Sequence, residues 1–339
     1  MALEVRGISY MADEVSAEIA RSDLDVILRR LHCTAVILIG MDIGKLIAAA
    51  RYALQIGLDV WIEPHPVNVL HKTMLRNLEQ TAIAVEELRQ EFPDRVHLIV
   101  GCEFSVHLNA GLPGGMEGIR MMMIRWRHYF RRRINRKVNK LLAKAVDVAR
   151  AHFGGPVTYA AAAWEEVDWS LFDYAGINLY RTKGNSPYLT ERLRGHVRSA
   201  GKPLVITEFG CGAHIGGAQR GPGSFRIVHW LGRHPRLKKG TVRSERVQAA
   251  YLCDLIDLWD RNGVHGCFVY TFALREYPHL ADPRRDLDMA SFGIVKVDPD
   301  NPDEWQEKLA FHEVARLYGR MKLNRPRAPH LRRSGEWVR

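Results

Sequence analysis

KPLVITEFGCGAH, residues Lys202–His214, is an apolar β-type run from Leu204 to Thr207 that ends on Glu208 and then on Gly-Cys-Gly. A buried strand should finish in turn residues, and a carboxylate at its C-terminal tip is costly unless something there uses the charge. A second run, VHLIVGCEF over Val96–Phe104, ends the same way and puts Glu103 in the matching place. If the fold is a closed parallel barrel, both acids have a place, since its catalytic groups sit at the C-terminal ends of the strands, among the βα loops.

Working outward from these two runs, the chain offers eight candidate strands: Val5–Tyr10, Thr34–Ile39, Asp59–Glu63, Val96–Gly101, Val157–Ala162, Tyr174–Leu179, Leu204–Thr207 and Gly266–Phe272. Between most of them lie amphipathic stretches such as Ile43–Gln55, Val69–Phe92 and Val242–Asn262, with apolar residues recurring at three and four. The link Trp164–Asp173 is short and allows a single helical turn. There is no Pro/Ser/Gly-rich linker and no internal repeat. The alternation therefore reads as an α/β fold, a single (β/α)8 TIM barrel with long βα loops after strands 7 and 8. A doubly wound sheet would carry a glycine-rich phosphate turn after the first strand, and GISYMADEVS has none. The barrel is assigned to residues 1–320, and residues 321–339 to a basic C-terminal tail expected to be disordered.

Composition narrows the partners. With 339 residues, 47% of them hydrophobic, the chain has ample material for a core. Five cysteines, an odd number without a CxxC pair, give no disulfide framework and suggest a reducing compartment. No leader-like segment and no bilayer-length apolar run is present, so a soluble, cytoplasmic protein with no membrane partner is expected. The net charge of +11 is uneven: residues 321–339 hold six Lys or Arg against one Glu. The helix RWRHYFRRRINRKVNKLLAKAVDVA holds eight more between Arg125 and Lys140. Its stripe of Met123, Trp126, Phe130, Ile134, Val138 and Leu141 should pack on the barrel with the basic face in water, so nucleic acid is not the expected partner.

Two carboxylates facing each other across a barrel mouth can divide the labour, one held protonated to donate and one ionised to attack. That is the chemistry of glycosidic cleavage. A separation of about 5–5.5 Å predicts a retaining double displacement and roughly 6.5–9.5 Å predicts inversion. Alternation points Asn178 and Tyr180 the same way, toward the mouth if Ile177 and Leu179 face the helices. His65 lies between two prolines just past a strand end, an awkward place for a core histidine. Cys102, Cys211, His65, His107 and His214 lack the tight spacing of metal motifs, so no metal and no cofactor is expected.

At these residues the chain resembles a retaining glycoside hydrolase of the large (β/α)8-barrel clan A, and within it the bacterial β-mannanase-like group. The resemblance is carried by VTYAAAAWEEVDWSLFDYAGINLY (157–180), WIEPHP (61–66) and KPLVITEFG (202–210), and covers roughly Gly7–Gly319. It implies Glu208 as nucleophile, Glu103 as acid/base, Tyr180 as a hydroxyl that holds the nucleophile, and His65 and Trp164 as parts of the sugar site. Two departures stand out. The clan has Asn before the acid/base, whose amide binds the sugar 2-hydroxyl, and here that residue is Cys102, a weak donor. The strand-eight aromatic, commonly Trp, is replaced within FVYTFA, leaving Tyr270 or Phe272. Non-hydrolytic chemistry with the same pair (cyclisation, elimination or glycosyl transfer) is thus one alternative, and a carbohydrate- or nucleic-acid-binding barrel without catalysis is another.

The loops bear on the substrate. Phe209–Gly240 has six Lys or Arg, three His including His214, and no acid; it is far longer than the usual connection and reads as a lid. Arg275, Arg284 and Arg285 follow strand eight. Guanidinium groups converging on a pocket suit a carboxylate or phosphate, so the small-molecule or carbohydrate substrate is given an anionic alternative.

Overall fold

The computed structural model describes residues 3–230 and 233–323. From residue 324 onward the expected basic tail lies outside the described residues, and Met321 belongs to the last helix, Leu309–Leu323. Eight strands form and close in chain order: β1 (Val5–Met11), β2 (Ala35–Gly40), β3 (Asp59–Pro64), β4 (Val96–Cys102), β5 (Val157–Ala162), β6 (Ala175–Asn178), β7 (Leu204–Phe209) and β8 (Gly266–Val269). All pair in parallel, with β8 returning to β1. The eighth strand is shorter than the sequence suggested and the seventh runs two residues further, to Phe209.

Alternation sorts the strand residues into two cores. Ala35, Ile37, Trp61, Ile99, Val205 and Phe268 fill the lumen. There Trp61 stacks on His97 with ring centres 4.4 Å apart. A Cβ on Gly7 would lie 2.1 Å from the Phe268 ring, so only glycine lets β1 pass it. Val36, Leu38, Val60 and Ile62 point outward into the layer under the helices. One of these, Ile43–Ile56, shows how the sequence bounds them: the Asp42 carboxylate caps its start by accepting from the Lys45 amide, and Gly57 ends it at φ 110°.

Between β5 and β6 there is only the 3₁₀ turn Trp169–Leu171, as the short link required. The missing helix leaves a flank cavity of about 600 Å³ lined by Trp164, Trp169, Arg127, Arg192 and His196 among others. The basic helix also differs from expectation. Ile124–Phe130 is 3₁₀ and the α-helix begins at Arg131, running to His152. Ile134, Val138 and Leu141 are buried as expected, but Trp126 is 39% exposed.

The long connection after β7 is a folded cap. It contains the 3₁₀ helix Gly221–Ile227 and a hairpin pairing Val228–His229 with Arg236–Leu237. Ile227, Val228 and Leu237 pack on Leu287, Met289 and Ala290 of the connection after β8. Arg243 binds Asp286, Asp288 and Glu245 at 2.9, 2.7 and 3.0 Å and holds the two connections together. Among the described residues no helix is long and apolar enough to cross a membrane.

Candidate functional site

Both strands that carry the glutamates are bulged just before them. On β4 the register with β5 slips between Ile99 and Cys102, and on β7 the register with β6 slips so that Asn178 lies opposite Glu208. A bulge re-aims the side chain that follows it. Gly101 permits the slip on β4, because a Cβ there would lie 2.2 Å from the Phe104 ring.

Glu103 follows at φ 36°, ψ 55°, a left-handed conformation that costs a non-glycine residue of order 1 kcal/mol and needs external support. Its amide donates to the Ala160 carbonyl at 2.9 Å. Glu165 clamps the turn beyond it, accepting from the Ser105 amide at 2.8 Å, the Tyr159 hydroxyl at 2.9 Å and the Ala162 amide at 3.0 Å. The Tyr159 oxygen in turn accepts from the Phe104 amide at 2.6 Å.

Asn178 lies on the floor between the two acids, 2% exposed. Its Oδ1 accepts from the Thr207 hydroxyl at 2.7 Å, which fixes the amide so that Nδ2 faces the mouth. That nitrogen is 3.1 Å from Glu103 Oε1, 3.3 Å from Glu208 Oε2 and 3.4 Å from Cys102 Sγ. An amide has two hydrogens, so three acceptors cannot all be served at once. Tyr180, just past the end of β6, donates its hydroxyl to Glu208 Oε1.

Burial raises the Glu208 carboxyl to about 7, with the Tyr180 hydrogen bond and the His65 charge acting against the rise and Glu63 reinforcing it. Glu103 is pushed well above the carboxylate range, first by burial and then by the Glu208 charge. Glu208 therefore ionises first and Glu103 keeps its proton. Burial and the nearby carboxylates hold the Cys102 thiol protonated. Tyr270 directly follows β8 and packs on the lumenal cluster that contains Cys102, and burial and the Glu208 charge raise its hydroxyl; Phe272 instead packs on Tyr10 and Trp305.

The third strand supplies a group that the sequence reading missed. Glu63 is 3% exposed, and its Oε1 lies 2.8 Å from His65 Nδ1. The His65 ring meets His107 edge-on at 4.5 Å, and His107 Nδ1 lies 2.5 Å from Glu117 Oε1. Burial works against the His65 charge, but the Glu63 bond and charge together with the Glu208 and Glu117 charges outweigh it and raise the imidazole, while burial and the His65 charge lower His107. Period two from the lumenal Trp61 would have placed Glu63 inside the barrel. Ligand atoms of Glu63, His65 and Cys102 lie within 4.8 Å of one another, a set that could close on a divalent cation. In the arrangement described, carboxylate and imidazole already satisfy each other.

Glu103, Glu208, Asn178, Tyr180, Cys102, His65 and Tyr270 thus share the mouth, and three of the expected site residues lie elsewhere. Arg275 ion-pairs with the buried Asp23 at 3.1 Å and donates to the Pro302 carbonyl, because that buried carboxylate draws the guanidinium away from the mouth. His214 is 1% exposed, with Nδ1 2.8 Å from the Ile215 carbonyl and its backbone bridged to Arg243. Trp164 donates to the Ser105 hydroxyl at 3.1 Å, lies under Arg127, and lines the flank cavity.

No protein-family model and no curated protein matches the sequence. Solved structures do match the fold. One is a GH113 β-1,4-mannanase at 15% identity, covering 94% of this chain and 99% of that one with a TM-score of 0.61. Another is the GH113 β-mannanase of Alicyclobacillus acidocaldarius in complex with ManMIm, at 15% identity, 94% and 98% coverage and a TM-score of 0.60. A β-glucuronidase from Ruminococcus gnavus in complex with D-glucaro-1,5-lactone matches at 14% identity over 94% of this chain and 49% of that one, with a TM-score of 0.55. At these identities the likeness is one of fold, the TIM barrel of the clan A β-mannanases.

Proposed function

We propose that the protein is a glycoside hydrolase-like enzyme that cleaves a β-linked sugar by retaining double displacement. Glu208 attacks the anomeric carbon while Glu103 gives its proton to the departing oxygen. Glu103, now ionised, then takes a proton from water as that water displaces Glu208 from the sugar. The observation that carries this reading is the single Asn178 amide nitrogen in reach of both carboxylates. Two carboxylates that share one amide nitrogen stand close across the mouth, which favours direct attack over an interposed water. The order of ionisation and the Tyr180 bond to Glu208 support the same division of roles. The fold shared with mannanases and glucuronidases supports a carbohydrate substrate. With Arg275 and Arg243 engaged by carboxylates, an uncharged sugar suits the mouth better than an anionic one.

One observation favours a second reading, non-hydrolytic chemistry with the same pair: Cys102 offers a thiol beside Glu103, and the Asn178 amide is already turned to the acids. Intact-mass spectrometry after incubation with activated 2-deoxy-2-fluoro β-mannosides, glucosides and glucuronides tests the first reading and ranks the sugars. A single adduct mapped to Glu208 and absent from Glu208→Gln is expected. An adduct that forms but is released only to an acceptor other than water would move the assignment to glycosyl transfer. No adduct with any sugar would overturn the role of Glu208 as nucleophile.

A further inference from the structure

The connection that follows β4 is built inside out. Met116, Ile119, Met122, Trp126 and Tyr129 recur every three or four residues and are 64%, 44%, 65%, 39% and 75% exposed. Arg120, among them, is 1% exposed and donates to the carbonyls of Val106, Gly114 and His107 and to Asn68 Oδ1. Met121, Met123 and Ile124 pack on the core, so the buried side of the segment already has its partners and the outer stripe has none of that packing. A run of large apolar side chains facing water marks an interaction surface.

Its surroundings identify the partner. Across residues 116–140 the one acid is Glu117, which is taken by His107. Arg125 lies over the Trp126 ring at 4.1 Å, and Arg132, Arg133 and Arg136 follow, all exposed. Being a βα loop, the segment stands at the C-terminal face of the barrel. That face carries more exposed apolar side chains on other connections: Leu70 after β3, Tyr188 after β6, and Ile215 and Trp230 after β7, from 52% to 77% exposed. Trp and Tyr with aliphatic residues, ringed by arginines, suit the boundary between headgroups and acyl chains, where guanidinium groups meet phosphates and the apolar tips enter. A nucleic acid would match the arginines but leave Met116, Ile119 and Met122 without a role.

We propose that the C-terminal face of the barrel docks on an anionic phospholipid surface, with the stripe from Met116 to Tyr129 entering the interface and the following arginines binding the headgroups. This binding is separate from the glycosidase reading and is measured without turnover.

The test is co-sedimentation of the full chain with vesicles of phosphatidylcholine alone and of equal parts phosphatidylcholine and phosphatidylglycerol. Two variants at exposed positions accompany it: Met122→Ser/Trp126→Ser/Tyr129→Ser and Arg132→Glu/Arg133→Glu/Arg136→Glu. Binding to the mixed vesicles and not to the neutral ones is expected, lowered at least tenfold in the first variant and by roughly two orders of magnitude in the second. Equal binding to both vesicle types overturns the proposal. So does mixed-vesicle binding that the apolar variant leaves unchanged, which would mean charge adsorption alone. Failure to bind either vesicle, with a homopolymeric RNA retained instead, assigns the surface to nucleic acid and overturns it as well.

Discussion

The Tyr180 hydroxyl donates to Glu208 Oε1 from the end of the neighbouring strand, and it opposes the burial that raises this carboxyl to about 7. Hydrogen bonding to the charged form favours that form. Removing the donor in Tyr180→Phe should raise the Glu208 carboxyl further and move the acid limb of the kcat/KM profile to higher pH. Below that limb the loss should be at least about tenfold, the usual worth of a hydrogen bond to a charged group. A limb that stays in place would show that the phenol does not govern the ionisation.

Glu103→Gln separates acid catalysis from attack. It should cost about 10²- to 10⁴-fold with an unactivated glycoside, and far less with an aryl glycoside whose leaving group needs no proton. Equal losses on the two substrates would remove Glu103 from the acid role.

Glu208 also bears on stability, and the sign follows from its raised carboxyl. The folded chain holds this proton more tightly than the unfolded chain. The stabilisation is complete below the unfolded value and is lost as pH rises through about 7. Glu208→Gln, neutral at every pH, should match the parent in stability near about pH 4 and exceed it near about pH 8 by up to about 3 kcal/mol, seen as a higher Tm only at the upper pH. The calorimetric Tm at the two pH values checks this.

Cys102→Asn places an amide beside Glu103, where the thiol is a weak donor. Turnover of a glycoside with a free 2-hydroxyl should rise about tenfold, and that of its 2-deoxy counterpart should not change. A rise on both substrates would mean that the gain comes from repacking around Asn178.

The two glutamates were legible because each closes an apolar strand, and the barrel because its strands alternate with helical periods at a regular spacing. Local periodicity carried less elsewhere. The stripe through Trp126 assumed 100° per residue, but Ile124–Phe130 is a 3₁₀ segment turning about 120°, which rotates Trp126 out toward water. Arg275 was grouped with the lid by its place after β8, yet its carboxylate partner Asp23 is 252 residues away in the chain. Glu63 stood in plain view in WIEPHP, but its meaning depends on which face Trp61 takes, and that is set by packing against His97 and Phe268 from other strands.

Between β5 and β6 the buried outer residues Tyr159, Ala161 and Ile177 are covered by a single turn and side chains such as Trp164, Val167 and Trp169, with no α-helix in that connection. Apolar cover slows the opening of hydrogen-bonded ladders, so amides along this thinly covered seam are expected among the first of the barrel's to exchange, which hydrogen exchange would check. Asn178 ends β6, on that seam. Its amide, held between the two glutamates, is therefore anchored to the wall that has a turn in place of a helix, and anything that wedges into the flank cavity at Trp164 and Trp169 would reach the acids through one strand.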